Sequence, residues 1–158
     1  MAPVEVISHS VEDTQRLGRL LGEQAWGGEA ILLVGELGAG KTCLAQGVAQ
    51  GLGITEPVLS PSFVLLRQYS GRLPMYHVDL YRMERISEVV DLGLDDYIYG
   101  DGLSLVEWAE RGTGLFPSEH LLIELELLSE TERILRFRPR GIRYREAVDK
   151  LQISAGQA

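Results

Sequence analysis

With 158 residues, 45% of them hydrophobic, and a net charge of −8, the chain can bury one sizeable core. It is too acidic to bind nucleic acid over its whole surface. A single cysteine, Cys43, excludes an intrachain disulfide, and no apolar run approaches the length of a membrane span. The N-terminus lacks the basic-then-apolar order of a secretory signal, so the sequence reads as one soluble, cytoplasmic domain over residues 1–158. Charge is unevenly placed: residues 1–132 hold 8 basic and 21 acidic side chains, residues 133–158 hold 7 and 2.

Residues 4–7 are a short strand candidate. Ser10, with Asp13 three residues on, is a helix-start signal, and Leu17, Leu20 and Leu21 lay an apolar stripe on that helix. Gly27-Gly28 breaks the chain before residues 30–34, an apolar, partly β-branched run of the kind buried on both faces of a parallel sheet.

The next eight residues, Gly35-Glu36-Leu37-Gly38-Ala39-Gly40-Lys41-Thr42, match the phosphate-binding pattern G-x-x-x-x-G-K-[ST] without a gap. Gly35, Gly38 and Gly40 take backbone angles closed to other residues and turn successive N–H groups onto an anion. A helix starting at Lys41 adds its unpaired N–H groups and dipole. Lys41 would reach the outer phosphates and the Thr42 hydroxyl a Mg²⁺ ion. Leu44, Val48 and Leu52 form that helix's apolar side, with Gly51 and Gly53 as stop signals. Lys41 is also the only lysine before Lys150, in a chain that otherwise uses arginine. Cys43, just inside the helix, reads as packing.

Residues 55–63, with two prolines and the hydroxyls of Thr55, Ser60 and Ser62, predict a stiff loop leading into a strand over 63–69. Ser60 or Ser62 could sense a γ-phosphate there, or the segment could be an ordinary Ser-Pro turn. A strand over 74–80 carries Asp79 near its end, with Arg82 beyond; a short helix over 87–92 follows, and acidic Asp95-Asp96 reads as solvated surface or a partner contact. Residues 103–108 are apolar and then abruptly acidic. Glu107 is placed to hold a metal's shell at a strand end, with Asp79 as competitor or as a water-positioning or switch residue. Strands over 120–128 and 133–140 make a C-terminal antiparallel hairpin, and a final helix is expected over 144–152. Arg136, Arg138 and Arg140 share one face of the hairpin, as edge protection or as a dock for tRNA phosphate or an acidic protein. His9, His77 and His120 are too scattered for a metal site. The whole predicts an α/β fold: a mostly parallel central sheet flanked by helices, ending in that hairpin.

Taken together, GELGAGKT at 35–42, SPSF at 60–63, HVDLYR at 77–82, LGLDDY at 92–97 and VEWAER at 106–111 resemble the TsaE (YjeE) family over nearly the whole chain. The resemblance implies a P-loop ATPase of tRNA threonylcarbamoyladenosine synthesis, working with TsaD and TsaB and the product of TsaC. It implies ATP and Mg²⁺ bound by the run from Gly35 through Cys43, with Lys41 on phosphate and Thr42 and Glu107 on the metal. Asp79 carries over as the acid of H-x-D-L-Y-R, making Lys41, Asp79 and Glu107 the catalytic set. Arg133 carries over as a contact near the nucleotide, and Ser60, Ser62 and Trp108 as switch or partner-linked positions. Glu36 stands where the family commonly has aspartate, and Ser62 where it has threonine. A nucleotide-sensing module without turnover and a small-molecule kinase are the alternatives. A GTPase is excluded because the chain has no asparagine for an N-K-x-D segment.

Overall fold

The apolar runs become the strands of one seven-stranded sheet in the computed structural model, which describes residues 3–36, 38–60 and 65–156. In chain order the elements are β1 (Val4–Ser8), α1 (Val11–Glu23), β2 (Ala30–Gly35), α2 (Lys41–Gly51), β3 (Leu66–Ser70) and β4 (Pro74–Asp79). Then come α3 (Ile86–Asp91), α4 (Asp95–Ile98), β5 (Leu103–Glu107), a 3₁₀ turn (Ala109–Gly112), β6 (His120–Leu127), β7 (Arg133–Arg140) and α5 (Ile142–Gly156).

The strand order is β1-β7-β6-β2-β5-β4-β3. The four central strands, β6, β2, β5 and β4, run parallel, which makes the central sheet mostly parallel as expected. The expected β6–β7 hairpin is present, and β1 pairs antiparallel along its outer side. At the opposite end β3 returns antiparallel on β4.

Each face of the sheet has its own core. On one, Leu17 and Leu21 of α1, Leu44 and Val48 of α2, and Val148 and Leu151 of α5 cover Ile31, Leu33, Leu105, Ile123 and Phe137. On the other, Val89, Leu94 and Ile98 of the short helices cover Leu32, Val78 and Val106. Burying each such leucine contributes about 1.5–3 kcal/mol, which makes the α1–α2–α5 side the main anchor of the fold.

Two local signals resolve differently from their sequence reading. Ser10 does cap α1, its Oγ accepting from Asp13 N–H at 3.0 Å, but Asp13 Oδ2 accepts from His9 N–H instead of closing a capping box on Ser10. Gly51 is not a stop signal. It is the last residue of α2, and a Cβ there would lie 2.3 Å from the Arg19 carbonyl of α1. Gly18, Gly22 and Gly47 face the same seam, with built Cβ atoms 2.4, 2.2 and 2.1 Å from backbone oxygens across it. These glycines let α1 and α2 approach backbone to backbone. Gly53, at φ +76°, is the left-handed stop that the pattern predicts.

Other boundaries shift. β3 begins at Leu66 instead of residue 63, and residues 61–64 lie outside the described residues. The strand over 74–80 ends at Asp79, and α5 extends past 144–152 at both ends. Asp95 and Asp96 open a one-turn helix whose Ile98 is buried while the two acids stay exposed. The edge-protection reading of the arginine stripe is corrected at Arg136, because β1 pairs along β7 from Arg133 to Phe137; Arg138 and Arg140 lie beyond that pairing. Arg136 pairs with Glu5 and Glu126, and Arg138 with Glu124, so glutamates from both neighbouring strands interleave the stripe.

Candidate active site

The carboxyl ends of β2, β5 and β4 lie side by side, and the loop from β2 into α2 crosses above them. Chain alternation puts His77 and Asp79 on the α2 side of β4, and Asp79 is in register with Glu107 at the end of β5. The two carboxylates are therefore neighbours beneath the loop, where open α/β sheets place their chemistry.

The loop itself has the expected backbone. Gly38 and Gly40 have φ of +80° and +104°, angles that residues with a Cβ rarely adopt, and Gly40 caps α2 in that conformation. Gly35 answers a different demand: a Cβ there would lie 2.6 Å from the Leu125 carbonyl of β6. Ala39 is buried, Glu36 is exposed, and Leu37 lies outside the described residues.

Lys41 is 5% exposed. Its Nζ donates to the carbonyls of Gly35 and, at 3.0 Å, Glu36, and sits 4.2 Å from the centre of the Trp108 ring. Burial lowers its pKa, and the charges of Glu107, Glu110 and Asp79 work the other way. The ammonium thus folds back onto its own loop and is held by an aromatic face. Trp108 reaches that position through a left-handed backbone, φ +56° and ψ 41°, immediately after Glu107. Such a conformation costs roughly 1–2 kcal/mol in a residue with a Cβ, so the surroundings must hold it there. Tyr81 packs on Trp108 with ring centres 5.0 Å apart, and the Arg111 guanidinium lies 5.4 Å from the Trp108 centre.

Asp79 and Glu107 are each 3% exposed. Asp79 Oδ1 accepts from the Tyr81 N–H at 2.8 Å, and Ser60 Oγ donates toward Oδ2 at 3.5 Å. Glu107 Oε2 lies 2.6 Å from His77 Nε2. Arg133 reaches over from the start of β7, its Nη2 donating to the Gly38 carbonyl at 3.3 Å while Nη1 is held by the carbonyls of Ser129, Glu130 and Glu132.

A pocket of about 400 Å³ joins these groups, lined by Gly38 through Cys43 together with Ser60, Asp79, Tyr81, Arg82, Glu107, Trp108 and Arg133. The predicted site residues converge there except Gly35 and Glu36, which are not among the pocket's lining residues, and Leu37 and Ser62, which lie outside the described residues. Thr42 and Cys43 are half-buried on the wall. Arg82, just beyond β4, lines the pocket, whereas Arg111, beyond β5, donates to the Met83 carbonyl at 2.9 Å and stands behind the Tyr81–Trp108 pair. Sequence reasoning missed Tyr81 and the His77–Glu107 contact; the H-x-D alternation on β4 was the signal for the second.

Thr42, Asp79 and Glu107 are hard oxygen donors on one pocket, a set suited to Mg²⁺. Among the described residues no three His, Cys, Asp or Glu side chains cluster closely enough to hold a metal by themselves.

This constellation, a glycine loop between a buried strand and a helix with two carboxylates on the adjacent strands, defines an α/β protein with a P-loop NTPase-like fold. Its sequence narrows the class. Residues 8–135 match the family of threonylcarbamoyl adenosine biosynthesis protein TsaE, and the chain belongs to that family. The tRNA threonylcarbamoyladenosine biosynthesis protein TsaE of Bacillus subtilis is 43% identical over 141 residues, covering 89% of this chain and 88% of that protein. The Treponema pallidum protein of the same name is 40% identical over 127 residues, 80% and 94% of the two chains. The crystal structure of Bacillus subtilis YdiB superposes with a TM-score of 0.85 at 36% identity, covering 98% of this chain and 97% of that one. Among the described residues, no helix is long and apolar enough to cross a membrane.

Proposed function

We propose that the chain is the Mg²⁺-dependent, ATP-binding and hydrolysing subunit of the cytoplasmic machinery that threonylcarbamoylates the adenosine next to the anticodon in tRNA. It acts with TsaB, TsaD and the product of TsaC. The observation that carries the reading is the convergence of Lys41, Thr42, Asp79 and Glu107 on one pocket at the carboxyl ends of β2, β4 and β5.

The glycine loop and the first turn of α2 offer main-chain N–H groups to the polyphosphate. Lys41 exchanges the carbonyls of Gly35 and Glu36 for phosphate oxygens, a stronger acceptor because it is charged. Thr42 and Glu107 are the residues that would hold Mg²⁺, which when bound neutralises charge on the outer phosphates. Hydrolysis adds water across the terminal P–O bond to give ADP and inorganic phosphate. Asp79 orients that water, with Ser60 beside its Oδ2 as the link to the loop that follows α2. Arg82, which lines the pocket as Arg133 does, is the candidate for the transferred group, and an arginine so placed can be worth about 10³ to 10⁵ in rate.

The test is steady-state ATP hydrolysis by wild type and Glu107→Ala, alone and with TsaB and TsaD. Expected are slow turnover alone, stimulation by the partners, and loss of both in the variant. ATP binding with no turnover under any condition would leave a nucleotide-sensing module instead.

A further inference from the structure

We infer that His77 is a positioning residue for the carboxylate of Glu107: its Nε2–H holds Oε2 and leaves Oε1 for the ion. The inference rests on the reading of Glu107 as a ligand of nucleotide-bound Mg²⁺.

The two side chains meet at 2.6 Å, with His77 0% and Glu107 3% exposed. His77 lies inside the sheet, in register with Leu105 on β5 and Arg67 on β3, so backbone pairing on both sides fixes where its ring begins. A glutamate has three side-chain torsions to order before it can bind an ion; a donor on one oxygen orders them in advance.

The choice of a histidine is informative because it is expensive for the core. Its Nδ1 is buried and has no hydrogen-bond partner among the described residues. An aliphatic residue such as the neighbouring Leu105 would fill a core position without leaving a polar atom unpaired. With Glu107 ionised, the proton belongs on Nε2 and the bare lone pair on Nδ1, because a doubly protonated ring would bury an unpaired N–H instead. The imidazole is then a neutral donor. An arginine or lysine in its place would also hold Oε2, but its positive charge would neutralise Glu107 and repel the cation the carboxylate is meant to receive. A neutral donor orients the carboxylate and leaves its charge for the ion.

His77→Gln and His77→Asn separate this role from packing, since the amide nitrogen of glutamine falls near imidazole Nε2 and that of asparagine near Nδ1. The readout is Mn²⁺ affinity by electron paramagnetic resonance, with the protein bound to a non-hydrolysable ATP analogue, together with calorimetric affinity for the analogue in EDTA. His77→Asn and a Glu107→Ala control are expected to lose about ten- to hundredfold in Mn²⁺ affinity, with His77→Gln within about threefold of wild type. Analogue affinity in EDTA should be unchanged in all three. Wild-type Mn²⁺ affinity in His77→Asn, with the loss confined to Glu107→Ala, overturns the inference and leaves the Glu107 reading standing. Wild-type affinity in Glu107→Ala overturns both. Nitrogen NMR of the wild-type ring needs no variant to fold: the neutral Nε2–H tautomer is expected, and an Nδ1–H tautomer overturns the inference.

Discussion

Glu29→Gln should flatten part of the protein's stability-against-pH curve. Glu29 stands just before β2, at the end of the sheet away from the glycine loop, and is 1% exposed. Burial pushes its carboxyl from the usual 4.5 up to about 8, against the opposing pull of the Trp26 backbone and of Arg143 and Arg72. Both arginines are committed elsewhere: Arg72 to the carbonyls of Gly22, Glu23 and Ala25, Arg143 to the face of Trp26 at 4.4 Å. Neither is free to neutralise a buried carboxylate, and Oε1 has no partner among the described residues. Between pH 4.5 and 8 the folded chain therefore keeps a proton that the unfolded chain releases. A raised carboxyl pKa gives stability that is complete below the unfolded value and is lost as pH rises through the folded one. Each pH unit in that window costs about 1.4 kcal/mol, so the interval from pH 5 to 7 costs about 2.5 kcal/mol. Glutamine keeps the shape and removes the titration. Urea unfolding of both proteins at half-unit steps from pH 5 to 8.5 should show the variant gaining on wild type throughout the window and levelling off near pH 8. Taking the difference cancels the histidines common to both. A difference that stays flat to within about 0.5 kcal/mol would refute the assignment of a buried, protonated Glu29.

Three further outcomes are expected. Lys41→Ala should weaken ATP binding by about ten- to hundredfold in calorimetry, since a hydrogen bond to a charged group is worth about 1.5–3 kcal/mol; unchanged affinity would remove Lys41 from the phosphate site. Gly47→Ala should destabilise the protein, because the added Cβ would lie 2.1 Å from the Gln15 carbonyl. Overpacking of about 1–3 kcal/mol outweighs the roughly 1 kcal/mol that alanine gains in helix propensity, so a raised denaturation midpoint would contradict the seam. Replacing Arg136, Arg138 and Arg140 with glutamine should leave the salt dependence of association with TsaB and TsaD unchanged, because Arg136 and Arg138 already face glutamates of this chain. A shallower dependence would show that the stripe docks a partner.

What the sequence made legible is what local physics decides. Gly38 and Gly40 announce left-handed backbone, Ser10 a helix start, and the run before Gly35 a buried strand, because each depends only on its neighbours. Long-range pairing hid the rest. Nothing local in Val4–Ser8 says that it will lie against β7, and so nothing warned that Arg136 has a strand on either side. Gly51 and Gly53 look alike in a linear string; only the approach of α1 shows that one yields space and the other conformation. The site divides the same way. The loop residues and the two strand-end acids could be named in advance, whereas the way they hold one another needs the β4–β5 register that sets Asp79 beside Glu107. Trp108 is the sharpest case. Its ring covers the Lys41 ammonium only because its backbone turns left-handed directly after Glu107, a conformation that no pattern of residue types predicts for tryptophan. That strain sits between the residue read as the metal's ligand and the ring that holds the lysine read as its phosphate contact. On the proposed function, a nucleotide that draws Lys41 off its carbonyls would alter its contact with the ring, which would link occupancy of the loop to the segment that follows β5.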